Sequence, residues 1–366
     1  MQIRAAVSRN AGADFSVETL DMLDIQADEI LVRVVATGLC HTDIAVRDQI
    51  LPVPLPAVLG HEGAGLVEAI GADVQGLSVG DHVVLGFAAC RQCPQCITGQ
   101  PAYCREFTPL NFSGRRRDGT SCLHDQNGEV SSHFFGQSSF ATHAIVAAKN
   151  AVKVTKDAPI ELLGPLGCGI MTGAGAVFHA LQLKQGESLL VTGGGPVGLS
   201  AVMAGVVRGA DMILVSDPLP SRRAMAIDLG ATHVIDPAAG ELAEQVRAIV
   251  PAGVENVLDT SGIAPVIEAA VGTLAVRGRL ATVGVPRSAD AAVSLNILQM
   301  LSLGIQISGV TEGNADPQTF LPQLVDLFLA GKFPIDRMIS SYRLDQINEA
   351  IADQHAGRCV KAILTM

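Results

Sequence analysis

The sequence predicts an α/β protein with two domains, one built on a doubly wound parallel sheet and the other mostly of β-strands. The chain has 366 residues, and a domain typically has roughly 100–200. Beyond residue 188, apolar strand-like runs alternate with helix-like runs, which is typical of a parallel sheet with helices on both faces. Before residue 150, short β-branched runs and Gly/Pro turns predominate, and no long helical period is present.

The stretch ESLLVTGGGPVGLSAVMAGVVRGADMILVSD predicts a strand at 188–192, a turn, a helix to about 209 and a second strand at 212–216. In this setting, glycines are typical of a turn that brings a dinucleotide pyrophosphate to a helix N-terminus. The glycines concerned are Gly193, Gly195 and Gly198. Asp217 ends the second strand, where its carboxylate can bind the adenosine ribose and repel a 2′-phosphate. NAD is therefore favoured over NADP, although Arg222 and Arg223 nearby soften that preference.

The same alternation continues downstream and completes the predicted sheet. We expect helices at 219–229, 241–249, 264–275 and 295–302, and strands at 232–235, 254–259, 279–284 and 305–310. The closing RCVKAILTM is typical of a strand outside this set, which indicates a return to the first domain. We therefore expect a discontinuous domain of residues 1–168 and 310–366, and a dinucleotide-binding domain of residues 169–309. Residues 105–139 are polar and rich in Gly and Ser, and predict a long loop.

Composition disfavours several functional classes. The net charge is −11 with a pI near 5.2, and the longest basic run is Arg115–Arg117, so no nucleic-acid partner is expected. The uncharged stretch 188–207 is long enough for a membrane span, but its glycines and Pro196 favour a buried strand, turn and helix. The opening residues lack the pattern of a secretory signal, so we expect a cytoplasmic location, no membrane and reduced cysteines.

Four of the eight cysteines lie close together in AACRQCPQCITGQPAYCREF. They are Cys90, Cys93, Cys96 and Cys104. Two-residue gaps between thiolates suit tetrahedral binding of one zinc ion, and four protein ligands leave no position for a substrate. An iron–sulfur centre and unrelated reduced cysteines remain alternatives. A structural zinc site is the favoured interpretation.

Three further residues are candidates because of their local settings. Cys40 follows a predicted strand in VRVVATGLCHTDIA, together with His41, Thr42 and Asp43 on the same turn. His61 is flanked by glycines in LGHEGAG, and Cys168 lies in a glycine-rich helix entry. Spacing alone says little about residues so far apart. The remaining histidines, among them His133, are expected to be structural.

With these motifs assembled, the sequence resembles the zinc-dependent medium-chain alcohol dehydrogenases. The resemblance covers nearly the whole chain and rests on GLCHTD, GHEGAG, the four-cysteine segment, GCGIMTGAGA, GGGPVG and RCVKAILTM. It implies a GroES-like catalytic domain with a structural zinc lobe, beside a Rossmann domain. It also implies two zinc ions per chain. The implied ligands of the catalytic zinc are Cys40, His61 and Cys168, with the fourth position open to water or alcohol.

The resemblance assigns roles to the neighbouring residues. Glu62 matches a residue near the metal, and Asp43 matches a carboxylate that orients the ligand histidine. Thr42 matches a hydroxyl that contacts the substrate oxygen and begins a proton relay. Many members have a histidine as the terminal base of that relay, but this chain has Ala45 there. His41 is a candidate replacement, although its position usually contacts cofactor phosphate.

Two more residues match positions that contact the cofactor in this family. Lys361 matches a basic residue at the pyrophosphate, and Thr172 matches a residue near the nicotinamide. Either could instead have an ordinary surface or packing role. Arg222 belongs to the expected cofactor site because it follows Asp217 so closely.

The implied activity is hydride transfer between a primary alcohol and NAD, which gives the aldehyde. Within the family the chain is most like bacterial aryl-alcohol dehydrogenases, because of CHTD and the segment NFSGRRRDGTSCL…HFFGQSSFATHAIV, so an aromatic or allylic alcohol such as benzyl alcohol is expected. The alternatives are S-(hydroxymethyl)glutathione dehydrogenase, a general aliphatic or terpenoid alcohol dehydrogenase, and a non-catalytic structural protein. The family also suggests a homodimer or homotetramer, with GRLATVGV and GIQISGV at the sheet edge.

Overall fold

The computed structural model describes residues 1–286, 288 and 290–366, which form two compact units. The first unit comprises Met1–Cys168, Asp316–Leu329 and Ile339–Met366. The second comprises Gly169–Ala315 and Ala330–Met338. The chain returns to the first unit at residue 316, later than the boundary expected at 310. Residues 330–338, which we expected in the first domain, pack in the second unit.

Two sheets organise the described part of the first unit. One has the strand order β4-β1-β2-β7-β8, and the other has the order β10-β6-β5-β3-β18-β17 with β9 also paired to β3. The strands are β1 (Gln2–Ser8), β2 (Ser16–Met22), β3 (Glu29–Gly38), β4 (Ala57–Val58), β5 (Gly63–Ile70), β6 (His82–Leu85), β7 (Leu123–Asp125), β8 (Gly128–Val130), β9 (His143–Ala147), β10 (Ala151–Val154), β17 (Ile339–Arg343) and β18 (Lys361–Thr365).

Helices in this unit are short, apart from two near its end. They are α1 (His41–Arg47), α2 (Pro94–Ile97), α3 (Phe107–Phe112), α4 (Ile160–Leu163), α11 (Pro317–Leu329) and α12 (Ile347–His355). The core of the larger sheet is formed by the inward residues of β3, β5, β6 and β9, with Ile30 and Val32 fully buried at its centre. Alternation of buried β-branched residues with more exposed ones explains why these segments form strands.

Strand β3 brings distant parts of the chain to one place. Its last residue, Gly38, pairs with Ile363 of β18, and its neighbour Thr37 pairs with Gly63 of β5. The residues just after β3, just before β5 and at the start of β18 therefore meet at one end of the sheet. The first candidate site is built there.

The second unit contains a parallel sheet whose described strands have the order β13-β12-β11-β14-β15-β16. This is the doubly wound order 3-2-1-4-5-6, so the predicted fold class is confirmed. The strands are β11 (Ser188–Thr192), β12 (Met212–Ser216), β13 (His233–Ile235), β14 (Val254–Asp259), β15 (Leu274–Thr282) and β16 (Gln306–Gly309). The helices are α5 (Gly169–Gly175), α6 (Pro196–Arg208), α7 (Pro220–Asp228), α8 (Leu242–Ile249), α9 (Ala264–Val271) and α10 (Ile297–Leu303).

Two local predictions were wrong. Residues 105–139 are not one loop, since they contain α3 and the hairpin β7–β8, whose strands are joined by the two residues Gln126 and Asn127. The helix expected to reach residue 275 ends at Val271, and β15 begins at Leu274, because Gly272 ends the helix before the β-prone run LAV.

The apolar stretch 188–207 folds as β11 followed by most of α6, as the sequence predicts. Among the described residues, no single helix combines the length and the apolar character needed to cross a bilayer. Two consecutive helices that meet at a bend, Ile160–Gly167 and Gly169–Ala180, reach that threshold only when they are taken together.

Candidate metal and dinucleotide sites

Four potential ligand groups converge in the first unit. Ligand atoms of Cys40, His61, Glu62 and Cys168 all lie within 4.8 Å of one another, and we call this group the distal-residue cluster. Cys40 directly precedes α1, while His61 and Glu62 directly precede β5. Cys168 follows a 3-10 helix at Gly164–Gly167. The fold thus brings together the three residues expected to hold the catalytic zinc.

Two glycines make this convergence sterically feasible. Gly60 has a φ of 89°, and a Cβ there would overlap the backbone nitrogen and ring of Phe140. Gly38 has no unusual backbone angle, but a Cβ on it would overlap the Glu62 carboxylate. Gly60 is therefore required both by its backbone conformation and by space, and Gly38 by space alone.

Asp43 fixes the orientation of the histidine. One carboxylate oxygen of Asp43 lies 2.8 Å from His61 Nδ1 and 3.1 Å from the Gly60 amide nitrogen, and the other accepts a hydrogen bond from the Cys40 amide at 2.9 Å. His61 Nε2 is buried, and no described residue gives it a hydrogen-bond partner. With Nδ1–H donated to Asp43, Nε2 presents its lone pair to the cluster, which is the arrangement of a metal-ligating histidine.

The pKa values of Cys40 and His61 are shifted by the charged groups gathered at the cluster. A hydrogen bond from Cys168 is the main cause that lowers the pKa of Cys40 well below its usual range, against the opposing effect of burial. Burial lowers the pKa of His61, but the Asp43 carboxylate and the Cys40 thiolate outweigh it and raise that pKa well above its usual range. A cation at this position would satisfy the same charges.

Glu62 has a second partner that balances its charge. Lys361, the first residue of β18, is 1% exposed, forms an ion pair with the Glu62 carboxylate and donates a hydrogen bond to the Leu39 carbonyl at 3.0 Å. Burial raises the pKa of Glu62 to about 7, although Lys361 lowers it. Burial lowers the pKa of Lys361, but Glu62 outweighs that effect and raises it. The pyrophosphate contact implied for Lys361 stays a prediction, because its ammonium lies buried against Glu62 here.

The donor set fits zinc. Two thiolates and an imidazole nitrogen are typical zinc ligands, and hard cations such as magnesium prefer oxygen. The Glu62 carboxylate is engaged by Lys361, which leaves Cys40, His61 and Cys168 as the strongest donors. Three protein ligands with an open fourth position are characteristic of catalytic zinc sites.

A second group, which we call the four-cysteine lobe, is formed by Cys90, Cys93, Cys96 and Cys104, whose sulfur atoms lie within 4.8 Å of one another. The Sγ atoms of Cys93 and Cys96 are 3.6 Å apart, and those of Cys90 and Cys96 are 3.9 Å apart. Zn–S bonds of about 2.3 Å in a tetrahedron put the sulfurs about 3.8 Å apart. A multi-iron cluster separates its thiolates further, because iron and sulfide atoms lie between them. The sulfur separations therefore fit a single metal ion.

Backbone amides point at these sulfurs. The Cys90 amide donates to Cys104 Sγ at 3.3 Å, and the Cys93 amide donates to Cys90 Sγ at 3.3 Å. Amide hydrogen bonds lower the pKa of Cys93 to about 6, whereas burial raises the pKa of Cys96 to about 12. All eight cysteines lie within the described part of the chain, and none forms a disulfide.

The dinucleotide motif forms the expected turn in the second unit. Gly193 has a φ of 102° after β11, and a Cβ on Gly198 would overlap the Gly193 carbonyl, so both positions need glycine. Around Gly195, the N-cap of α6, the nearest atom to an added Cβ would be Arg222 Nη1 at 3.8 Å. Open space above Gly195 at a helix N-terminus suits a pyrophosphate.

Asp217 lies beside that turn. Its two carboxylate oxygens accept hydrogen bonds from the Gly194 amide at 2.7 Å and the Leu219 amide at 2.8 Å. Arg222 donates to the Gly194 carbonyl at 3.4 Å. Carboxylate oxygens accept more than one hydrogen bond each, so Asp217 keeps capacity for ribose hydroxyls.

Comparison with known proteins identifies the family. A model of the alcohol dehydrogenase GroES-like domain matches residues 26–156, and a model of the zinc-binding dehydrogenase domain matches residues 196–330. Geraniol dehydrogenase from Castellaniella defragrans is 47% identical over 99% of this chain and 97% of its own. The chain belongs to the zinc-dependent medium-chain alcohol dehydrogenases.

Two further relatives of this alcohol dehydrogenase are informative. The crystal structure of benzyl alcohol dehydrogenase from Acinetobacter calcoaceticus has a TM-score of 0.97 at 47% identity, and covers 100% of this chain and 99% of that one. S-(hydroxymethyl)glutathione dehydrogenase from Komagataella pastoris is 34% identical over 100% of this chain and 98% of its own. The protein is thus an oxidoreductase of the zinc alcohol dehydrogenase class.

The alcohol dehydrogenase places its candidate relay residues on the first turn of α1. Thr42 Oγ1 is 3.7 Å from Cys40 Sγ, so the hydroxyl lies at the distal-residue cluster. His41 begins α1 and is exposed. Ala45 is 3% exposed and carries no group that takes up a proton. Thr172, in α5, donates to a Glu312 carboxylate oxygen at 3.5 Å within the second unit.

Sequence reasoning missed the residues that pack around His61. The Phe135 ring stacks on the His61 ring at a centroid distance of 4.5 Å, and Phe134 meets it edge-on at 5.3 Å. The Gln137 side chain donates to the His61 carbonyl at 3.0 Å and accepts from the Gly63 amide at 3.0 Å. Two adjacent phenylalanines in a polar segment were the available signal, since apolar pairs in such segments are usually buried.

Proposed function

We propose that this enzyme is an NAD-dependent zinc alcohol dehydrogenase that oxidises a primary aromatic or allylic alcohol to the aldehyde. The observation that carries the proposal is the buried His61 Nε2, which no described residue engages in a hydrogen bond. Asp43 orients the ring, and two cysteines lie beside it. Relatives named for geraniol and benzyl alcohol support the substrate class, because one alcohol is allylic and the other aromatic.

We propose two zinc ions per chain. The catalytic ion would be held by Cys40, His61 and Cys168, and the structural ion by the four-cysteine lobe. Zinc, when bound at the first position, supplies a Lewis acid that lowers the pKa of the substrate alcohol. The chain's own residues must then orient the alcohol and take away its proton.

The proton route begins at Thr42. Its hydroxyl lies at the cluster and can accept the proton of the substrate alcohol while passing its own onward. Ala45 offers no acceptor at the position where many family members have a histidine. His41 precedes Thr42 directly and is exposed, so it can release a proton to water. We propose that His41 completes this route.

The second unit would bind the cofactor, and the first would carry the chemistry. The glycine turn at residues 193–198 would hold the pyrophosphate at the N-terminus of α6, and Asp217 would bind the ribose. The carboxylate disfavours a 2′-phosphate, so NAD is proposed rather than NADP. Thr172 and Arg222 would lie at the cofactor as secondary contacts.

S-(hydroxymethyl)glutathione is the alternative substrate, since a dehydrogenase of that name is 34% identical to this chain. That substrate is anionic and needs a basic contact. The longest basic run, Arg115 to Arg117, is already paired with carboxylates: Arg115 pairs with Glu129, Arg116 with Glu29, and Arg117 with Glu106. These ion pairs favour the uncharged alcohol.

We propose a homodimer or homotetramer. Strand β16 is an edge of the parallel sheet, and α10 exposes Ile297, Leu298 and Leu301, each more than 70% accessible. An unpaired edge beside exposed aliphatic side chains is typical of a self-complementary interface. A monomeric mass by light scattering at micromolar concentration would contradict this assignment.

The proposed activity is tested by metal content and substrate comparison. We expect two zinc per chain, NAD reduction with benzyl alcohol and geraniol, and much slower reduction of NADP. Faster turnover of formaldehyde with glutathione than of benzyl alcohol would favour the alternative substrate. Absence of zinc or of NAD binding would contradict the proposal as a whole.

The His41 route has its own test. His41→Ala should lower kcat by about 100-fold, within the usual range for loss of a proton-transfer group, and added imidazole should restore much of it. Zinc content should stay at the wild-type value, because His41 is not a ligand in the proposed site. Unchanged kcat in this variant would mean that the proton leaves by another route.

A further inference from the structure

We propose that Phe135 is a positioning residue, whose ring holds the His61 imidazole in the plane that its role as a metal ligand requires. This inference rests on the proposed catalytic zinc site. Phe135 lies in the segment HFFGQSSFATHAIV, where sequence reasoning assigned no functional role to an individual residue. Phe135 contacts the ligand rather than the metal.

One hydrogen bond does not fix the plane of a histidine ring. Asp43 holds the Nδ1 corner of His61 at 2.8 Å, but the torsion that turns the ring has only a broad intrinsic preference. Phe135 lies against the face of the imidazole, with ring centroids 4.5 Å apart and an interplanar angle of 28°. Phe134 closes a second side at 5.3 Å and 84°. The two rings block the rotation that the hydrogen bond leaves open.

The backbone that presents these rings is strained. His133 has a φ of 62° and Phe135 a φ of 51°, in the left-handed region that disfavours residues with side chains. Gly136, at 69°, follows them. Conformations of this kind cost free energy, and they persist where the surrounding structure holds them. A less strained turn would not place the Phe135 ring over His61.

The same turn grips the backbone beside His61. Gln137 Nε2 donates to the His61 carbonyl at 3.0 Å, and Gln137 Oε1 accepts from the Gly63 amide at 3.0 Å. The Gly136 amide closes the turn on the His133 carbonyl at 2.7 Å. Residues 133–137, which we call the His61 buttress, therefore hold both the ring and the main chain of one ligand.

Phe112 is the control that distinguishes a positioning role of Phe135 from ordinary packing. Its ring meets Phe134 at 5.9 Å and Phe135 at 5.3 Å, so it belongs to the same aromatic group. It makes no ring contact with His61 among the described residues. If the phenylalanines serve only as core, truncating Phe112 or Phe135 should have similar effects. If Phe135 positions His61, only its truncation should affect the metal.

The test compares Phe135→Leu with the control Phe112→Leu in the absence of substrate. We measure the rate at which a chelator removes each metal from the holoenzyme, and the visible spectrum after cobalt replaces the catalytic metal. Phe135→Leu should release the catalytic metal about 10-fold faster and shift the cobalt bands, as expected when a ligand loses its outer support. Release from the four-cysteine lobe should not change, and Phe112→Leu should resemble wild type.

The outcomes separate this inference from the proposed function. Wild-type protein that holds no metal at the cluster would overturn both. Wild-type protein with two metals, whose catalytic metal leaves Phe135→Leu and Phe112→Leu at equal rates, would overturn only the positioning role. Phe135→Met retains more bulk without a rigid face and replaces the leucine variant if that variant does not fold. Phe135→Tyr should restore the wild-type rate and spectrum, since it keeps the aromatic ring.

Discussion

The two metal-binding groups of this enzyme are assembled in opposite ways. The four-cysteine lobe is drawn from fifteen consecutive residues, 90–104, and its sulfurs accept hydrogen bonds from amides of the same segment. The distal-residue cluster is drawn from residues 40, 61, 62 and 168. Asp43 pairs with His61, and Lys361 at the start of β18 pairs with Glu62. The lobe depends on local spacing, whereas the cluster depends on the fold.

The cluster also buries groups that carry charge. His61 is 1% exposed and Glu62 is fully buried, although each metal-binding group has one partly accessible cysteine, Cys40 in the cluster and Cys93 in the lobe. A buried site must pair every charge, because an isolated ion is costly away from water. The ion pairs around the cluster are therefore part of its construction. In the lobe, the metal itself is expected to supply the compensating charge.

The largest effect should follow from a ligand change in the distal-residue cluster. Cys168→Ser should lower kcat/KM with benzyl alcohol by at least about 1,000-fold, because the metal supplies several kcal/mol of stabilisation. Metal analysis should give one zinc instead of two. Retention of both zinc ions with wild-type activity would show that Cys168 is not a ligand.

Breaking the Glu62–Lys361 pair should cost folding stability. Lys361→Met leaves the Glu62 carboxylate buried without its cation, and loss of one partner of a buried pair typically costs about 3–5 kcal/mol. Urea unfolding measures this difference. The double variant Glu62→Gln/Lys361→Met should be less destabilised than Lys361→Met alone, because it leaves no buried carboxylate without a partner. An equal or larger loss in the double variant would contradict this cost.

Loss of a ligand in the four-cysteine lobe should lower the folding stability of the enzyme more than its catalytic rate. Cys96→Ser removes a buried ligand, so the lobe should lose its zinc and the melting temperature should fall by on the order of 5 °C. The kcat per catalytic zinc should remain within about tenfold of wild type, since the lobe offers no open position for substrate. A fall as large as that of Cys168→Ser would remove the distinction between the two groups.

The smallest expected effect is a change with pH in the melting temperature, caused by His133, the first residue of the His61 buttress. Burial lowers the pKa of His133, but Cys122 and Glu29 outweigh it and raise that pKa from 6.5 to about 9. Because the folded pKa is raised, this contribution to stability is complete below pH 6.5 and is lost as pH rises to about 9. The melting temperature of wild type should fall by a few degrees more across this window than that of His133→Gln. His355→Gln, an exposed change at the end of α12, serves as the control and should follow wild type.

Local chemistry made much of the fold predictable. The fold of the second unit was predictable from its alternating strand-like and helix-like runs. The dinucleotide turn was predictable because Gly193 and Gly198 occupy positions that no larger residue fits. The four-cysteine lobe was visible because its ligands are close in sequence. Spacing alone did not predict the distal-residue cluster, whose members meet only when β3 pairs with both β5 and β18. There the family resemblance supplied the grouping.

The contacts of the His61 buttress could not be predicted from the sequence, although its two adjacent phenylalanines indicated burial. The left-handed conformations of His133 and Phe135 are imposed by tertiary contacts, since neither residue prefers them. The partnership of Lys361 with Glu62 likewise depends on strand pairing across most of the chain. The segment 105–139 was misjudged because its polar composition masked the hairpin formed by β7 and β8. The composition of a segment predicts its solvent exposure better than it predicts whether its backbone forms a hairpin.

The pairing of β18 with β3 also orders events during synthesis of the chain. The lobe cysteines emerge within about 1–3 s of one another at the usual 5–20 residues per second, so a metal can be captured there early. Lys361 follows Glu62 by 299 residues (361 − 62), which takes about 15–60 s at that rate. Until then the cluster lacks its balancing ammonium and the strand that carries it. Loading of the catalytic metal is therefore expected to follow loading of the lobe.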